Sequence, residues 1–378
     1  MNLVNKSGIK INKGTFKGGE PKKYYKPKYE LDHFQKYACL AAVNNENIVC
    51  TSHTGAGKTY VGLNYIKKVN DNGLQAHYIV PIKALANQKH KELSEIFPDV
   101  GIITGEKQIN PSAKVIIETA ECFRNALLRK PNDDIYSYNI DQKNIGVVVI
   151  DEVHSINLSQ RGYVWEDIIT QLNDNIRIVA LSATVNGIEE LVDWICNIKK
   201  NTSCHLIGTD KRPVPLKFSL FNNNKIHTIL DGKKWNQGKW TEIIQEINNQ
   251  KKISKIKNEK VNNNFLTVTY RKIRDCLKIL VKKKMLPANI FVLNKNHIES
   301  LGSMLKKDFD FTTDEEKKEI INLWNRYLNE YKLSYNDKIQ WKLIYPLILN
   351  GIGIHHSGIV PILKDFIEIL YEKKLLKI

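Results

Sequence analysis

The sequence predicts an α/β protein built on a parallel sheet, followed by a second, incomplete α/β domain. Three observations predict it. Strand-like apolar runs alternate with helical patterns from about Tyr29 to Asn201. One of those runs, Gly146-Val147-Val148-Val149-Ile150, is apolar throughout, as a strand covered on both faces must be. Polar residues able to do chemistry follow the ends of these runs, where open α/β sheets bind their ligands.

Taken in order, residues 1–28 are basic and interrupted by Gly18, Gly19, Pro21 and Pro27, which predicts a flexible arm; they hold no apolar run long enough for a signal peptide. A first domain is expected over 29–205, with strands starting near Asn47, His77, Lys114, Gly146 and Arg177. Arg212-Pro213-Val214-Pro215 reads as a hinge, because two prolines so close to a strand interrupt pairing. The second domain is expected over 206–378. Within it, 250–264 is rich in Lys and Asn and predicts a mobile insertion, more naturally a solvated loop than a binding surface. An amphipathic helix is expected from Tyr270 to Met285, and a buried strand from Pro287 to Leu293. Thr312-Thr313-Asp314-Glu315-Glu316 fits a capping box opening a long helix. Pro361 starts a helix whose apolar face is Ile362, Phe366, Ile369 and Leu370, and Leu375-Leu376-Lys377-Ile378 reads as a strand just beginning.

Composition narrows the class. The 378 residues carry 57 Lys and Arg against 40 Asp and Glu, a net charge of +17. Such a balance suits a polyanionic partner, but a Lys-, Asn- and Ile-rich composition alone would also produce it. The six cysteines, at 39, 50, 122, 196, 204 and 276, have no metal-ligand spacing, and the apolar settings of Cys39, Cys50 and Cys122 suit reduced core thiols in an intracellular protein. No run is apolar enough to span a bilayer, so a soluble protein with no membrane partner is expected. Cytoplasm, nucleus and virus particle are not distinguished.

The chemistry lies in two segments. Asn47-Ile48-Val49-Cys50 runs into Thr51-Ser52-His53-Thr54-Gly55-Ala56-Gly57-Lys58-Thr59 and then a helical pattern, the context of a phosphate-binding loop. Gly55 and Gly57 let the backbone curl until its N–H groups, with the positive end of the following helix, surround phosphates. Lys58 supplies charge for the β and γ oxygens. Asp151-Glu152-Val153-His154 closes the 146–150 strand. Thr59 and Asp151 are suited to hold magnesium, Glu152 to accept a proton from the attacking water, and His154 to couple the nucleotide to neighbouring groups. A Gly-Lys-Thr loop alone is often a chance match. Followed in order by Asp-Glu-Val-His and by Leu181-Ser182-Ala183-Thr184, it predicts an ATP hydrolase using ATP and Mg2+, with Ser182, Ala183 and Thr184 relaying nucleotide state.

These motifs resemble the superkiller-type, exosome-associated DExH RNA helicases of superfamily two, over about Tyr29 to Ile378. The resemblance implies a RecA-like motor domain followed by a second, incomplete RecA-like domain. It assigns adenine recognition to Leu31-Asp32-His33-Phe34-Gln35, with Phe34 stacking on the base and Gln35 reading its edge; without the resemblance they read as a buried Phe and a surface Gln. Single-stranded RNA would be held through its backbone by Pro81 and Lys83, by Thr104 and Gly105, by Thr119, Glu121 and Arg124, and by a loop holding His355 and His356. Taken singly, the hydroxyls among them are ordinary capping residues, and the two histidines have no partner at metal-binding spacing. Arg161-Gly162-Tyr163-Val164-Trp165-Glu166 and Lys211-Arg212-Pro213-Val214-Pro215-Leu216 resemble the RNA branch more than its DNA-repair relatives. Two departures stand out. Ser52 replaces the usual Gly or Ala, and the family's motif V and its Gly-Arg-x-Gly-Arg motif VI are absent, the last arginine being Arg326. The sequence therefore predicts an ATP-dependent RNA helicase, incomplete as a single chain, with a second chain carrying motifs V and VI as an implied partner. The alternative is an ATP- and RNA-binding module, or half of a split helicase, without autonomous unwinding.

Overall fold

The computed structural model describes residues 3–4, 10–11, 21–129, 140–183, 187–199, 203–209, 211–212, 214–232, 234–256, 265–330 and 335–378. The chain divides into two compact units, Met1–Val214 and Pro215–Ile378.

In the first unit a short antiparallel pair, β1 (Leu3–Val4) and β2 (Lys10–Ile11), precedes the alternating core. The core runs α1 (His33–Val43), β3 (Asn47–Ser52), α2 (Thr59–Asp71), β4 (Gln75–Val80), α3 (Lys83–Ser94), β5 (Val100–Ile103), β6 (Gln108–Ile109), β7 (Val115–Thr119) and α4 (Ala120–Leu128). It continues with β8 (Ile145–Ile150), a tight 3-10 turn at Val153–Asn157, α5 (Gly162–Gln171), β9 (Arg177–Ser182), α6 (Ile188–Ile198) and β10 (Cys204–Thr209). The sheet has eight strands in the order β10-β3-β9-β8-β4-β7-β5-β6, parallel except for the β5–β6 edge.

Side chains alternate across this sheet, so each central strand feeds two cores. Val147 and Val149 pack with Phe34, Val61, Ile66 and Leu93 on the face of α1, α2 and α3. Val148 and Ile150 pack with Phe123, Trp165, Ile168 and Ile195 on the face of α4, α5 and α6. This double cover explains why the 146–150 run is apolar at every position. β3 and β8 are separated by β9, while the chain leaving β3 passes to β4 on the far side of β8. The ends of β3, β9 and β8 therefore lie side by side at the point where the strand order turns, the crevice in which such sheets bind ligands.

Two sequence expectations change here. Within the stretch expected as a flexible arm, the Tyr24 and Tyr25 N–H groups donate to the buried Asn64 Oδ1 on α2, at 2.8 and 3.2 Å, so 24–25 are anchored. β5, β6 and β10 were not foreseen; β10 pairs with β3 at the sheet edge.

The second unit contains an antiparallel sheet of β11 (Lys217–Asn222), β12 (Lys225–Asp231) and β13 (Lys234–Trp235), then α7 (Gln237–Ile256), α8 (Phe265–Lys282), α9 (Lys295–Asp308), α10 (Asp314–Glu330), α11 (Tyr335–Ile348) and α12 (Pro361–Glu372). The capping box opens α10: Thr313 N–H donates to Glu316 Oε2 at 2.9 Å, and Glu316 N–H to Thr313 Oγ1 at 3.2 Å. α12 starts at Pro361 and buries Leu363, Phe366, Ile367 and Leu370. The stretch 250–264 is helical as far as Ile256, as the end of α7, and the remainder lies outside the described residues. Pro287–Leu293 is not a strand. Its Ala288 N–H donates to the Lys377 carbonyl at 2.9 Å, but Phe291 and Leu293 are 92% and 107% exposed. An apolar run encodes a preference for extended backbone; a ladder also needs a neighbouring strand in register, which local sequence does not supply. Leu375 and Leu376 are buried, and the Lys377 and Ile378 N–H groups bond the Gly351 carbonyl at 2.8 and 3.2 Å. No helix among the described residues is long and apolar enough to cross a membrane.

Candidate active site

The phosphate loop occupies 53–58, between the end of β3 and the start of α2. Gly55 and Gly57 both have φ of +84°, a left-handed backbone that other residues adopt only at a cost. At Gly57 a Cβ would also stand 2.6 Å from Gln35 Nε2. The Lys58 ammonium lies across the loop, donating to the Ser52 carbonyl at 2.8 Å and the His53 carbonyl at 3.3 Å. Ser52 Oγ and both His53 ring nitrogens are buried without a partner among the described residues. Burial lowers the His53 pKa, as do the positive charges of Arg212 and Lys58, which favours the neutral ring.

Asp151 and Glu152 stand at the end of β8. Tyr78, wholly buried on β4, donates its hydroxyl to Asp151 Oδ2 at 2.7 Å, and the Thr59 hydroxyl lies within hydrogen-bonding reach of the same phenol. Burial, then the Asp151 charge, raises the Tyr78 pKa well above its ordinary value, which keeps the phenol a donor. Glu152 has φ 52° and ψ 44°, an uncommon left-handed conformation for a side-chain-bearing residue, held by its N–H donating to Asp151 Oδ1 at 3.0 Å. His154 Nδ1 is 3.3 Å from Glu152 Oε2, close but without hydrogen-bond alignment. Between β3 and β8, Thr51 Oγ1 donates to the Ala183 carbonyl at 3.2 Å, and Ser182 Oγ to the same carbonyl at 2.8 Å. Thr184 lies outside the described residues.

Phe34 is a correction. It is fully buried in the core beneath α1 and cannot stack on a base, because an aromatic at this helix position points inward with Ala38 and Ala41. Gln35, also buried, accepts from Asp32 N–H at 3.0 Å, completing a capping box at α1, and donates to the Gly57 carbonyl at 3.0 Å. The adenine-edge role expected for it therefore competes with two existing bonds.

Pro81, Lys83, Thr104, Gly105, Thr119, Glu121 and Arg124 come together at the ends of β4, β5 and β7, whose neighbouring registers bring Val80 opposite Thr119 and Ile103 opposite Glu118. Several are engaged with protein partners. Lys83 pairs with Glu106, Thr104 Oγ1 accepts from Lys107 N–H at 3.1 Å, and Thr119 is buried. Arg124 pairs with Asp167, its guanidinium 5.1 Å from the Tyr163 ring centroid.

Residues 32–191 match the DEAD/DEAH box helicase family. This segment is a DEAD/DEAH helicase domain. Along 92% of its length the chain is 33% identical to a Mus musculus protein named exosome RNA helicase MTR4, of which it covers 32%. It is 32% identical over 98% of its length to the Caenorhabditis elegans protein mRNA transport homolog 4, covering 35% of it, and 32% identical over 93% to the Mus musculus superkiller complex protein 2, covering 28%. The chain spans about a third of the length of the curated relatives it matches.

Around the helicase domain's motifs the structure adds residues that sequence reasoning passed over. Tyr78 carries no motif letter, and only the strand order brings it between Thr59 and Asp151. Tyr29 is 54% exposed, with its hydroxyl near both Gly57 and Gln35 and its ring edge-on to Tyr60 at 6.3 Å; it is the exposed aromatic beside the phosphate loop that Phe34 is not. An aromatic three residues ahead of the Asp32 cap was the available signal. In the second unit, His355 Nε2 lies 3.0 Å from Glu368 Oε1, and His356 Nε2 3.2 Å from Glu299 Oε1. Each histidine has its own carboxylate, and among the described residues no His, Cys, Asp and Glu cluster suits a metal.

Proposed function

We propose that the chain is the ATP-hydrolysing part of an RNA helicase. The observation that carries this reading is the meeting of the phosphate loop with Asp151 and Glu152 across β9, with the Tyr78 phenol between Thr59 and Asp151. Lys58 exchanges its two backbone carbonyls for phosphate oxygens, and the loop N–H groups and α2 add their positive potential. Thr59 and Asp151 offer the oxygen donors that a hard cation takes. Magnesium, when bound there, neutralises charge on the β and γ oxygens. Glu152 accepts the proton of the attacking water, His154 steadies Glu152, and Ser182 and Ala183 tie the site to β9. Tyr29 stacks on the base.

RNA fits the strand ends of β4, β5 and β7, where Pro81, Lys83, Thr104, Gly105, Thr119, Glu121 and Arg124 face a sugar-phosphate backbone without reading bases. The printed names of the relatives favour RNA over DNA. The test is calorimetric titration with ATP and magnesium together with phosphate release. Lys58→Ala is expected to weaken ATP binding by about 10-fold or more, the scale of a lost charge-assisted bond. Glu152→Gln is expected to retain binding and to lose about 10²- to 10⁴-fold in hydrolysis. Equal ATP affinity in the unchanged protein and in Lys58→Ala would refute the assignment.

A further inference from the structure

Arg161 stands just beyond the turn that carries the nucleotide-side residues. After Glu152 the chain makes the turn Val153–Asn157 and closes it with Arg161 and Gly162 N–H groups on the Leu158 carbonyl, at 3.2 and 2.8 Å. A Cβ at Gly162 would lie 2.1 Å from the Ile156 carbonyl oxygen, so the backbone here is packed directly on the turn. Any displacement of that turn therefore moves Arg161. Its side chain reaches the other way. Nη2 donates to the Pro81 carbonyl at 2.9 Å and pairs with the Glu121 carboxylate. Pro81 follows Val80 and Glu121 lies just past Thr119, and Val80 and Thr119 are register partners in β4 and β7. One guanidinium thus joins the turn after Glu152 to both strand ends assigned to the RNA backbone.

We propose that Arg161 is a positioning residue that couples nucleotide binding to RNA affinity. The inference rests on the helicase reading above. Occupation of the Asp151–Glu152 end of β8 fixes the turn, and Arg161 passes that constraint to Pro81 and Glu121, setting the spacing of the groups that hold the backbone. An arginine suits this task because a single guanidinium nitrogen offers two N–H groups in one plane, one for a carbonyl and one for a carboxylate. A lysine brings the charge without the planar fork. Contiguity alone does not establish coupling, which has to be measured as a change in one affinity on binding the other ligand.

The measurement is the affinity of the full 378-residue chain for a fluorescent single-stranded uridine oligomer, by anisotropy, with and without magnesium and a non-hydrolysable ATP analogue. The unchanged chain is expected to shift its RNA affinity by about 5- to 150-fold on nucleotide addition. In Arg161→Ala that ratio falls toward one, while affinity for the analogue without RNA, RNA-free hydrolysis and the thermal midpoint keep their values. Arg161→Lys recovers part of the ratio. A variant retaining the full ratio overturns the inference. So does a lost ratio accompanied by equal loss of RNA-free nucleotide affinity, which would make Arg161 a structural residue only. If the unchanged chain binds no RNA under either condition, the helicase reading itself fails, and that result is distinct from a retained ratio.

Discussion

Tyr78 and Gly57 show how single residues set this site. The Tyr78 hydroxyl holds the Asp151 carboxylate at 2.7 Å and lies within reach of the Thr59 hydroxyl. On the proposed magnesium role of Asp151, a group that orients the ligand in this way is typically worth about 10- to 100-fold in metal affinity. Tyr78→Phe should therefore raise the magnesium concentration needed for tight nucleotide binding by that order, leaving metal-free nucleotide affinity unchanged; magnesium titration against a fluorescent ADP reads this directly. An unaltered magnesium requirement would reduce Tyr78 to a packing residue. Gly57 answers to geometry rather than charge. With φ of +84° and Gln35 Nε2 2.6 Å from any added Cβ, Gly57→Ala combines left-handed strain with a displaced glutamine. A loss of roughly 1–2 kcal/mol or more in unfolding free energy is expected from the backbone alone, visible as a lower denaturant midpoint at unchanged slope.

At the scale of elements, strands were legible in the middle of the sheet, from β3 through β9, β8 and β4 to β7, and obscure toward its two edges, where β5 and β6 are short and β10 carries a polar interruption. β3, β7, β8 and β9 start within a residue of the expected positions because hydrophobic runs mark them. β10 was missed because His205 interrupts its pattern, and only the fold brings it 2.9 Å from Glu46 in a buried pair. The same burial governs the α5–β9 connection. Lys199, at the end of α6, has no exposed surface; its ammonium donates to the Leu172 and Asn173 carbonyls. Burial lowers its pKa from 10.5 to about 8, partly offset by Asp174. The folded state therefore releases this proton before the unfolded state does. Its charging penalty is fully present below about pH 8 and is relieved as pH rises from there toward 10.5. Denaturant unfolding at several pH values should show this rise, and Lys199→Met should lack it, so that the stability difference between the two proteins changes with pH. A pH-independent difference would contradict the buried ammonium.

For the whole molecule, charge decides how a polyanion is met. The net +17 suits counterion release on binding single strands, for which log affinity falls with log salt at a slope of roughly −0.7 per phosphate contact. On the proposed reading, in which the strand-end residues of β4, β5 and β7 address backbone rather than bases, homopolymers of different base should bind alike, with the same slope. Anisotropy across a salt series measures both. A salt-independent affinity, or one base strongly preferred, would count against backbone recognition and in favour of a pocket that reads edges.

The order of the phosphate loop, Asp-Glu-Val-His and Leu-Ser-Ala-Thr along the chain pointed by itself to the chemistry proposed, since each motif is a local run whose residue types suit its backbone. Apolar runs likewise marked most of the first sheet, and the Thr312 to Glu316 capping box marked the helix at Asp314–Glu330. Tertiary structure alone decided which residues meet. It buried Phe34, exposed Tyr29, left Pro287–Leu293 without a ladder, put Tyr78 against Asp151 from 73 residues away and Thr51 against Ala183 from 132. The physical reason is that propensity and periodicity act within a few residues, whereas these contacts follow from the order in which eight strands hydrogen-bond, a property of the folded sheet and not of any one segment.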